Sequence, residues 1–118
     1  MAFRIKRVYD EAENTDGVRV LVDRLWPRGV SLAKAGIDRW LKEISPSNEL
    51  RTWYGHDPAR WEEFKARYFR ELGRHGEVIG ELVEQAKAGT VTLLYASTEK
   101  KINNAVALKE YLESRLTG

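Results

Sequence analysis

Three stretches of the chain carry the apolar patterns of β-strands. Val18 to Asp23 and Thr90 to Ala96 consist almost wholly of β-branched and aliphatic residues. Such continuous runs predict strands that are covered on both faces, as in a parallel sheet. Phe3 to Tyr9 alternates apolar and polar residues, which predicts a strand with one partly solvated face. The turn from Asp10 to Gly17 is short for a helical crossover, so the first two strands are either antiparallel or joined by a reduced crossover.

Other segments carry the 3.6-residue period of amphipathic helices. The predicted elements are a short turn capped by Ser31 and continuing to Ala35, and helices over Ile37 to Ile44, Asn48 to Tyr54, Asp57 to about Arg74, Glu77 to Ala88, and from Asn103 or Asn104 onward. Asp57 followed by Pro58 is a typical helix start, because the carboxylate caps free N–H groups and proline is tolerated in the first turn. Trp40 and Trp61 fall on the apolar faces of their helices and are therefore predicted to lie in the core.

The alternation of buried strands with amphipathic helices predicts one fold class. We expect a single compact three-layer α/β domain, in which helices flank a small and mainly parallel sheet. The length of 118 residues is enough for one core, and 42% apolar with 32% charged residues excludes a disordered chain. The strands that begin at Val18 and Thr90 are expected to be parallel neighbours at the centre of the sheet.

Charge and cysteine content exclude several classes of protein. The 20 basic and 18 acidic residues are interleaved and give a net charge of +2, which argues against a dedicated binder of duplex DNA. Cysteine is absent, so disulfides, thiolate nucleophiles and cysteine-based zinc sites are excluded. The two histidines, His56 and His75, are too far apart in the chain for a zinc motif. We therefore predict no metal and no cofactor.

The chain also lacks the usual targeting signals. No apolar run approaches the length that spans a membrane, and the first ten residues lack the apolar core of a secretory signal. A membrane is therefore not an expected partner, and the expected location is the cytoplasm.

The turn that follows the first buried strand holds the main candidate site. Asp23, Arg24, Trp26 and Arg28 occur within six residues, with a proline and a glycine that shape the turn. Ligands of open α/β sheets usually bind beyond the carboxyl ends of the strands. Guanidinium groups there can hold a phosphate or carboxylate through paired hydrogen bonds. The structural alternative is an ion-pair network, in which Asp23 pairs with one arginine and orients it.

Further candidates come from the other turns. His56 is expected near a helix N-terminus, where a neutral imidazole is favoured and can act as acid or base. Tyr95 ends the second buried strand, so His56, Asp23 and Tyr95 are the predicted catalytic groups. The predicted substrate-binding residues are Arg24, Trp26, Arg28, Arg51, Trp53, Ser97 and Asn103. The structural alternatives are that His56 hydrogen-bonds the backbone of its loop and that Asn103 caps a helix.

Several motifs together resemble a known family. They are RVLVDRLWPRGVS from Arg19 to Ser31, HDP from His56 to Pro58, LLYA from Leu93 to Ala96, and NNAVALKEYL from Asn103 to Leu112. Over nearly its whole length the chain resembles the bacterial YeaO-like (DUF488) proteins. The resemblance implies a compact α/β domain but supplies no reaction. Ile102 stands where the family pattern has a histidine, so no role for that histidine is carried over.

Two classes of function fit these residues. The first is a small enzyme that acts on an anionic substrate bearing a phosphate or carboxylate, such as a nucleotide. The second is a module that binds a ligand or a nucleic acid without catalysis, and nucleic acid is the less favoured partner. We favour the enzyme by a small margin. A concave pocket that holds a titratable group with a shifted pKa would support the enzyme, whereas a flat basic face with exposed tryptophans would support the binding module.

Overall fold

The computed structural model describes residues 3–31 and 35–117. Its strands are β1 (Phe3–Arg7), β2 (Val18–Leu21), β3 (Arg39–Trp40) and β4 (Val91–Tyr95). Its α-helices are α1 (Asn48–Tyr54), α2 (Trp61–Leu72), α3 (Gly76–Ala88) and α4 (Asn104–Thr117). The predicted α/β class is confirmed. The predicted turn after Ser31 falls mainly on residues outside the described ranges.

The four strands form one parallel sheet in the order β1-β4-β2-β3. Val18 lies opposite Val91, and Leu21 lies opposite Leu94. The predicted parallel pairing of the two buried strands is therefore confirmed. Since all strands run the same way, the ends of β1, β2 and β4 meet at one edge of the sheet, which is where the sequence placed its candidate site.

The connection from β1 to β2 is not a hairpin. Both strands are parallel, β4 lies between them, and a short 3-10 turn at Asn14–Asp16 is the only helical element in the link. The antiparallel alternative is therefore wrong. The link passes closely over the start of β4: Gly17 has φ +64°, and a Cβ atom there would lie 2.1 Å from the carbonyl oxygen of Thr90. Only glycine permits that approach.

The two faces of the sheet are covered differently. Side chains from all four helices join one core cluster with Val91, Leu93 and Tyr95 of β4. On the other face Leu21 and Leu94 pack with apolar side chains of the loops that follow β1, β2 and β4, namely Val8, Trp26, Val30, Ile37 and Ala96. The turn after β2 is therefore part of the fold as well as part of the candidate site.

The helix predicted over Ile37 to Ile44 is wrong. Residues Arg39–Trp40 form β3, which pairs with Val20 and Leu21, and Lys42–Ile44 form a 3-10 turn. Free N–H and C=O groups at the edge of β2 provide backbone partners that outweigh the local helical period. The core position predicted for Trp40 is also wrong, because Trp40 is 37% exposed and its ring edge packs against Trp26 at a centroid distance of 5.4 Å.

The remaining predicted helices are present with small differences at their ends. Asp57 caps the segment before α2 as predicted, with its carboxylate accepting from the N–H of Ala59 at 3.0 Å. The first turn, Pro58–Arg60, is 3-10, and α2 ends at Leu72 rather than near Arg74. Trp61 is only partly buried but packs on the core.

None of the helices in residues 3–31 and 35–117 combines the length and apolar character needed to cross a lipid bilayer.

Candidate functional site

A cleft of about 620 Å³ opens at the edge of the sheet where β2 and β4 end. We call it the strand-end cleft. Of the predicted site residues, those that line it are Asp23, Arg24, Trp26 and Arg28 from the turn after β2, Arg51 and His56 from α1 and the loop after it, and Ser97 from the turn after β4. The structure thus brings together residues from three distant parts of the chain. The size falls within the range of small-molecule sites.

Three predicted site residues do not line this cleft. Tyr95 is buried in the core, where burial and the nearby Asp10 carboxylate raise its pKa. The ring of Trp53 lies under the guanidinium groups of Arg60 and Arg67, at 5.3 and 4.3 Å. A buried phenol with a raised pKa and a ring covered by two cations are poorly placed to meet a ligand in the cleft.

Asn103 is the third residue outside the lining. It is fully buried, its side-chain oxygen accepts from the N–H of Val106 at 2.9 Å, and its amide donates to the carbonyl of Glu99 at 2.7 Å. These bonds cap the start of α4 and close the turn after β4. The capping alternative therefore describes its place in the structure.

Asp23 is held at the end of β2 by two hydrogen bonds. Its carboxylate accepts from the backbone N–H of Ala96 at 2.8 Å and from the side-chain amide of Asn104 at 3.1 Å. Burial raises the pKa of Asp23, and these bonds and the charge of Arg51 offset only part of that effect. Among the described residues no ion pair joins Asp23 to an arginine of its own turn, so the alternative in which it pairs there is wrong.

The three arginines of the cleft are free to meet a ligand. Arg24, Arg28 and Arg51 are exposed, and no carboxylate in residues 3–31 and 35–117 forms an ion pair with any of them. The only side-chain hydrogen bond of these arginines within those residues is a long one of 3.5 Å from Arg51 to Asn48, and the charge of Arg51 also acts on the Asp23 carboxylate. Three guanidinium groups around one cleft give it a positive potential that attracts anions.

Hydrogen bonds hold the turn that carries two of these arginines. The indole N–H of Trp26 donates to the carbonyl of Val30 at 2.8 Å, and Gly29 has φ +76°. The hydroxyl of Tyr9 donates to the carbonyl of Arg28 at 3.0 Å. The backbone of Arg28 is thus positioned while its side chain remains exposed.

Sequence reasoning missed three lining residues, Tyr9, Tyr54 and Asn104, as parts of a site. Tyr54 stacks on Phe64 at a centroid distance of 4.3 Å and donates its hydroxyl proton to the carbonyl of Ile102 at 2.7 Å. Burial, with nearby Glu99 and Asp57, raises the pKa of Tyr54 to about 12. The sequence predicts Asn104 only as an alternative start of the last helix. The available signal was its place directly after the turn that follows β4.

His56 lines the cleft, and its backbone lies in the left-handed region with φ +57°. It is exposed, and its ring centroid is 5.5 Å from that of Tyr54. No described residue forms a hydrogen bond to its imidazole. A histidine that acts as acid or base is normally oriented by such a partner, so the geometry gives His56 little support as a proton-transfer group.

The described residues contain no group of three or more His, Asp or Glu side chains arranged to hold a metal ion. The cleft offers the chemistry of its three guanidinium groups, one carboxylate, one side-chain amide, three aliphatic hydroxyls, one imidazole and several aromatic rings. Such a set can bind an anion and hydrogen-bond a polar group beside it.

Comparison with known proteins places the chain in a family. The family model described as the inactive DUF488-N3 subclade matches residues 2–118, so the chain belongs to the DUF488 family. It is 41% identical over 114 residues to the uncharacterized protein YeaO of Escherichia coli K12, which covers 97% of this chain and 99% of that protein. The uncharacterized proteins Mb3100c of Mycobacterium bovis and Rv3073c of Mycobacterium tuberculosis are each 38% identical over 112 residues, covering 95% of this chain and 94% of theirs. No solved structure matches at a significant level. The YeaO-like resemblance is thereby confirmed.

Proposed function

We propose that this protein binds a small anionic ligand, bearing a phosphate or carboxylate, in the strand-end cleft and does so without catalysis. The observation that carries the proposal is the set of three exposed arginines, Arg24, Arg28 and Arg51, around one concave site without a carboxylate partner in the described residues. Guanidinium groups that line one cleft repel each other, and a bound anion relieves that repulsion.

The inner wall of the cleft favours a ligand with a flat or apolar body beside its anionic group. Tyr54 and Phe64 form a stacked pair in the lining, and Trp26 of the turn after β2 lines the same cleft. Asp23 and Asn104 add hydrogen-bonding groups between them. A nucleotide combines a phosphate, a planar base and polar hydroxyls, so it is the ligand class we favour.

Two observations favour binding over catalysis. The matching family model carries the description "inactive". His56 also lacks a partner that orients its imidazole among the described residues. Catalysis remains the second candidate because burial raises the pKa of Asp23, a shift that is common for carboxyl groups in active sites. The cytoplasmic location expected from the sequence stays a prediction.

Thermal unfolding with added anions tests the proposal. Phosphate or AMP should raise the melting temperature more than chloride at matched ionic strength, and Arg28→Ala should remove most of the difference. Ligand at about a hundred times its dissociation constant adds about 2.7 kcal/mol to the free energy of unfolding. Chloride is the control because salt alone screens repulsion between the arginines.

Arg70→Ala is the matched control variant, because Arg70 is an exposed arginine of α2 that does not line the cleft. It should respond to phosphate as the wild type does. Equal stabilisation of the wild type by chloride and phosphate would overturn the proposal. Incubation with a set of nucleotides, followed by chromatography, separates the two candidates: product formation that Asp23→Asn abolishes would favour the enzyme.

A further inference from the structure

A second cleft of about 590 Å³ adjoins the strand-end cleft. We call it the flanking cleft. The two share three residues of their lining, Arg24, Leu25 and Ser45, so one wall separates them. Arg24 and Leu25 therefore lie where the two clefts meet. Each volume lies within the range that holds one small molecule.

The flanking cleft also presents cations. Lys42, Arg74 and His75 line it together with the shared Arg24. Arg74 is exposed and forms no ion pair or side-chain hydrogen bond with the described residues, while the Lys42 ammonium lies 5.0 Å from the ring centroid of Trp40. These groups can receive a second anionic group.

Two carboxylates face the same cleft and must be weighed against these cations. Glu43 is exposed at its rim. Glu71 uses both carboxylate oxygens to bind Ser47, accepting from its backbone N–H at 2.9 Å and from its hydroxyl at 2.7 Å. With Arg24, Lys42 and Arg74 ionised, the cations still outnumber the acids, so the balance of the cleft is positive even when His75 is neutral.

The exposed apolar surface indicates what joins the two anionic groups. In the described residues three large hydrophobic side chains remain exposed: Tyr9 at 46%, Leu25 at 68% and Trp40 at 37%. Tyr9 lines the strand-end cleft, and Leu25 lines both clefts. The ring of Trp40 contacts the ammonium group of Lys42, which lines the flanking cleft. Aromatic and apolar groups interleaved with cations are the surface on which nucleotide bases stack.

Resting on the proposed function, we propose that the ligand extends over both clefts and consists of two linked nucleotide units. One phosphate is held by Arg28 and Arg51 in the strand-end cleft, and the next by Arg74 and Lys42 in the flanking cleft. Arg24 stands on the shared wall between them. The sugar or base at the junction packs on Leu25, which explains why an exposed leucine is placed at that point.

Titration calorimetry at low salt tests the proposal with two probes, AMP and the 5′-phosphorylated dinucleotide pApA. The dinucleotide should bind at least about tenfold more tightly than AMP, because a second phosphate and base are engaged. Arg74→Ala should lower the affinity for pApA to near that for AMP and leave AMP binding unchanged. Arg70→Ala, which changes an exposed arginine outside both clefts, should alter neither.

The outcomes distinguish the two proposals. If AMP binds through Arg28 but pApA binds no more tightly, or if Arg74→Ala leaves pApA binding unchanged, the two-cleft ligand is overturned and the anion site stands. If neither probe binds the wild type, the two-cleft ligand is overturned, and the comparison of phosphate with chloride in thermal unfolding decides separately whether the anion site stands. A hexanucleotide distinguishes a free dinucleotide from a longer single strand as the ligand. Equal affinities for the hexanucleotide and pApA indicate a free dinucleotide, and a higher affinity for the hexanucleotide indicates a single strand.

Discussion

The side-chain amide of Asn104 donates hydrogen bonds to the carboxylate of Asp23 and to the carbonyl of Val22, each at 3.1 Å. The first residue of α4 thereby clamps the end of β2 beside the strand-end cleft. The backbone N–H of Ala96 binds the second oxygen of the carboxylate. Two groups that lie 73 and 81 residues along the chain from Asp23 thus converge on its carboxylate, which is only partly exposed.

Replacing Asp23 by Asn should change how stability depends on pH. Because burial raises the pKa of Asp23, the folded protein binds a proton more tightly than the unfolded chain does. Raising the pH from about 4 through the folded pKa should therefore lower the stability of the wild type relative to Asp23→Asn. Urea unfolding at several pH values measures this difference. The new amide faces the amide of Asn104, which adds an offset that does not vary with pH.

A stability difference that is flat between about pH 4 and pH 7, or that grows in favour of the wild type, would contradict a raised pKa at Asp23. The same measurement on Asp16 provides a contrast of opposite sign.

Replacing Asp16 by Asn should be strongly destabilising at pH 7. Asp16 is fully buried and accepts from Arg19 at 2.5 Å, from Lys6 at 3.1 Å and from the N–H of Glu13 at 3.0 Å. Removing the carboxylate leaves two cations without their buried partner, which should cost about 3–5 kcal/mol. Burial alone would raise the pKa of Asp16, but these bonds and charges outweigh it and lower the pKa.

The contribution of Asp16 should therefore be present above the unfolded pKa of about 4 and be lost as the pH falls through the lower folded value. Urea unfolding of wild type and variant should converge at acidic pH. A loss below about 1 kcal/mol at pH 7 would show that the cluster of Lys6, Asp16 and Arg19 is not an important part of the fold.

Comparing Gly17→Ala with Gly29→Ala distinguishes the stability cost of a left-handed backbone from the cost of a steric clash. Both glycines have positive φ, at +64° and +76°, but a Cβ atom at Gly29 would meet nothing within 4 Å. Gly29→Ala should therefore cost about 1–2 kcal/mol, the usual penalty of a left-handed residue. Gly17→Ala should cost about 1–3 kcal/mol more, because its Cβ would strike the carbonyl of Thr90 and force the backbone to shift. Equal costs in denaturant unfolding would contradict the close approach of this link to β4.

Tyr9→Phe should weaken anion binding and slightly lower the stability of the protein. The variant removes the hydrogen bond of 3.0 Å to the carbonyl of Arg28 and keeps the ring. The loss of one such bond within the protein should lower the free energy of unfolding by about 0.5–1.5 kcal/mol. Because Arg28 is then held less firmly in the turn, the affinity for AMP should also fall, by at most about tenfold. Calorimetry with AMP measures the effect, and the melting temperature without ligand is the control. Unchanged affinity would show that Tyr9 does not position the turn for binding.

Local patterns were sufficient for several parts of this molecule. The apolar runs of β2 and β4 predicted two buried parallel neighbours, because a strand covered on both faces needs apolar residues at successive positions. Asp57 caps the segment that follows it, as its pairing with Pro58 predicted, since capping depends on a few adjacent residues. The turn after β2 was recognised because arginines, tryptophan, proline and glycine are seldom combined at the end of a strand.

The sequence by itself therefore determined the α/β class, the two central strands and the turn that carries Asp23, Arg24 and Arg28. Only the tertiary structure decided that Arg39–Trp40 pairs with β2 instead of forming a helix, because the partner for its backbone is remote in the chain. The same holds for Tyr9 and Asn104, whose roles beside the cleft depend on partners 19 and 81 residues away. Periodicity and capping are read within a few residues, whereas a cleft is formed by side chains that meet only after the chain has folded.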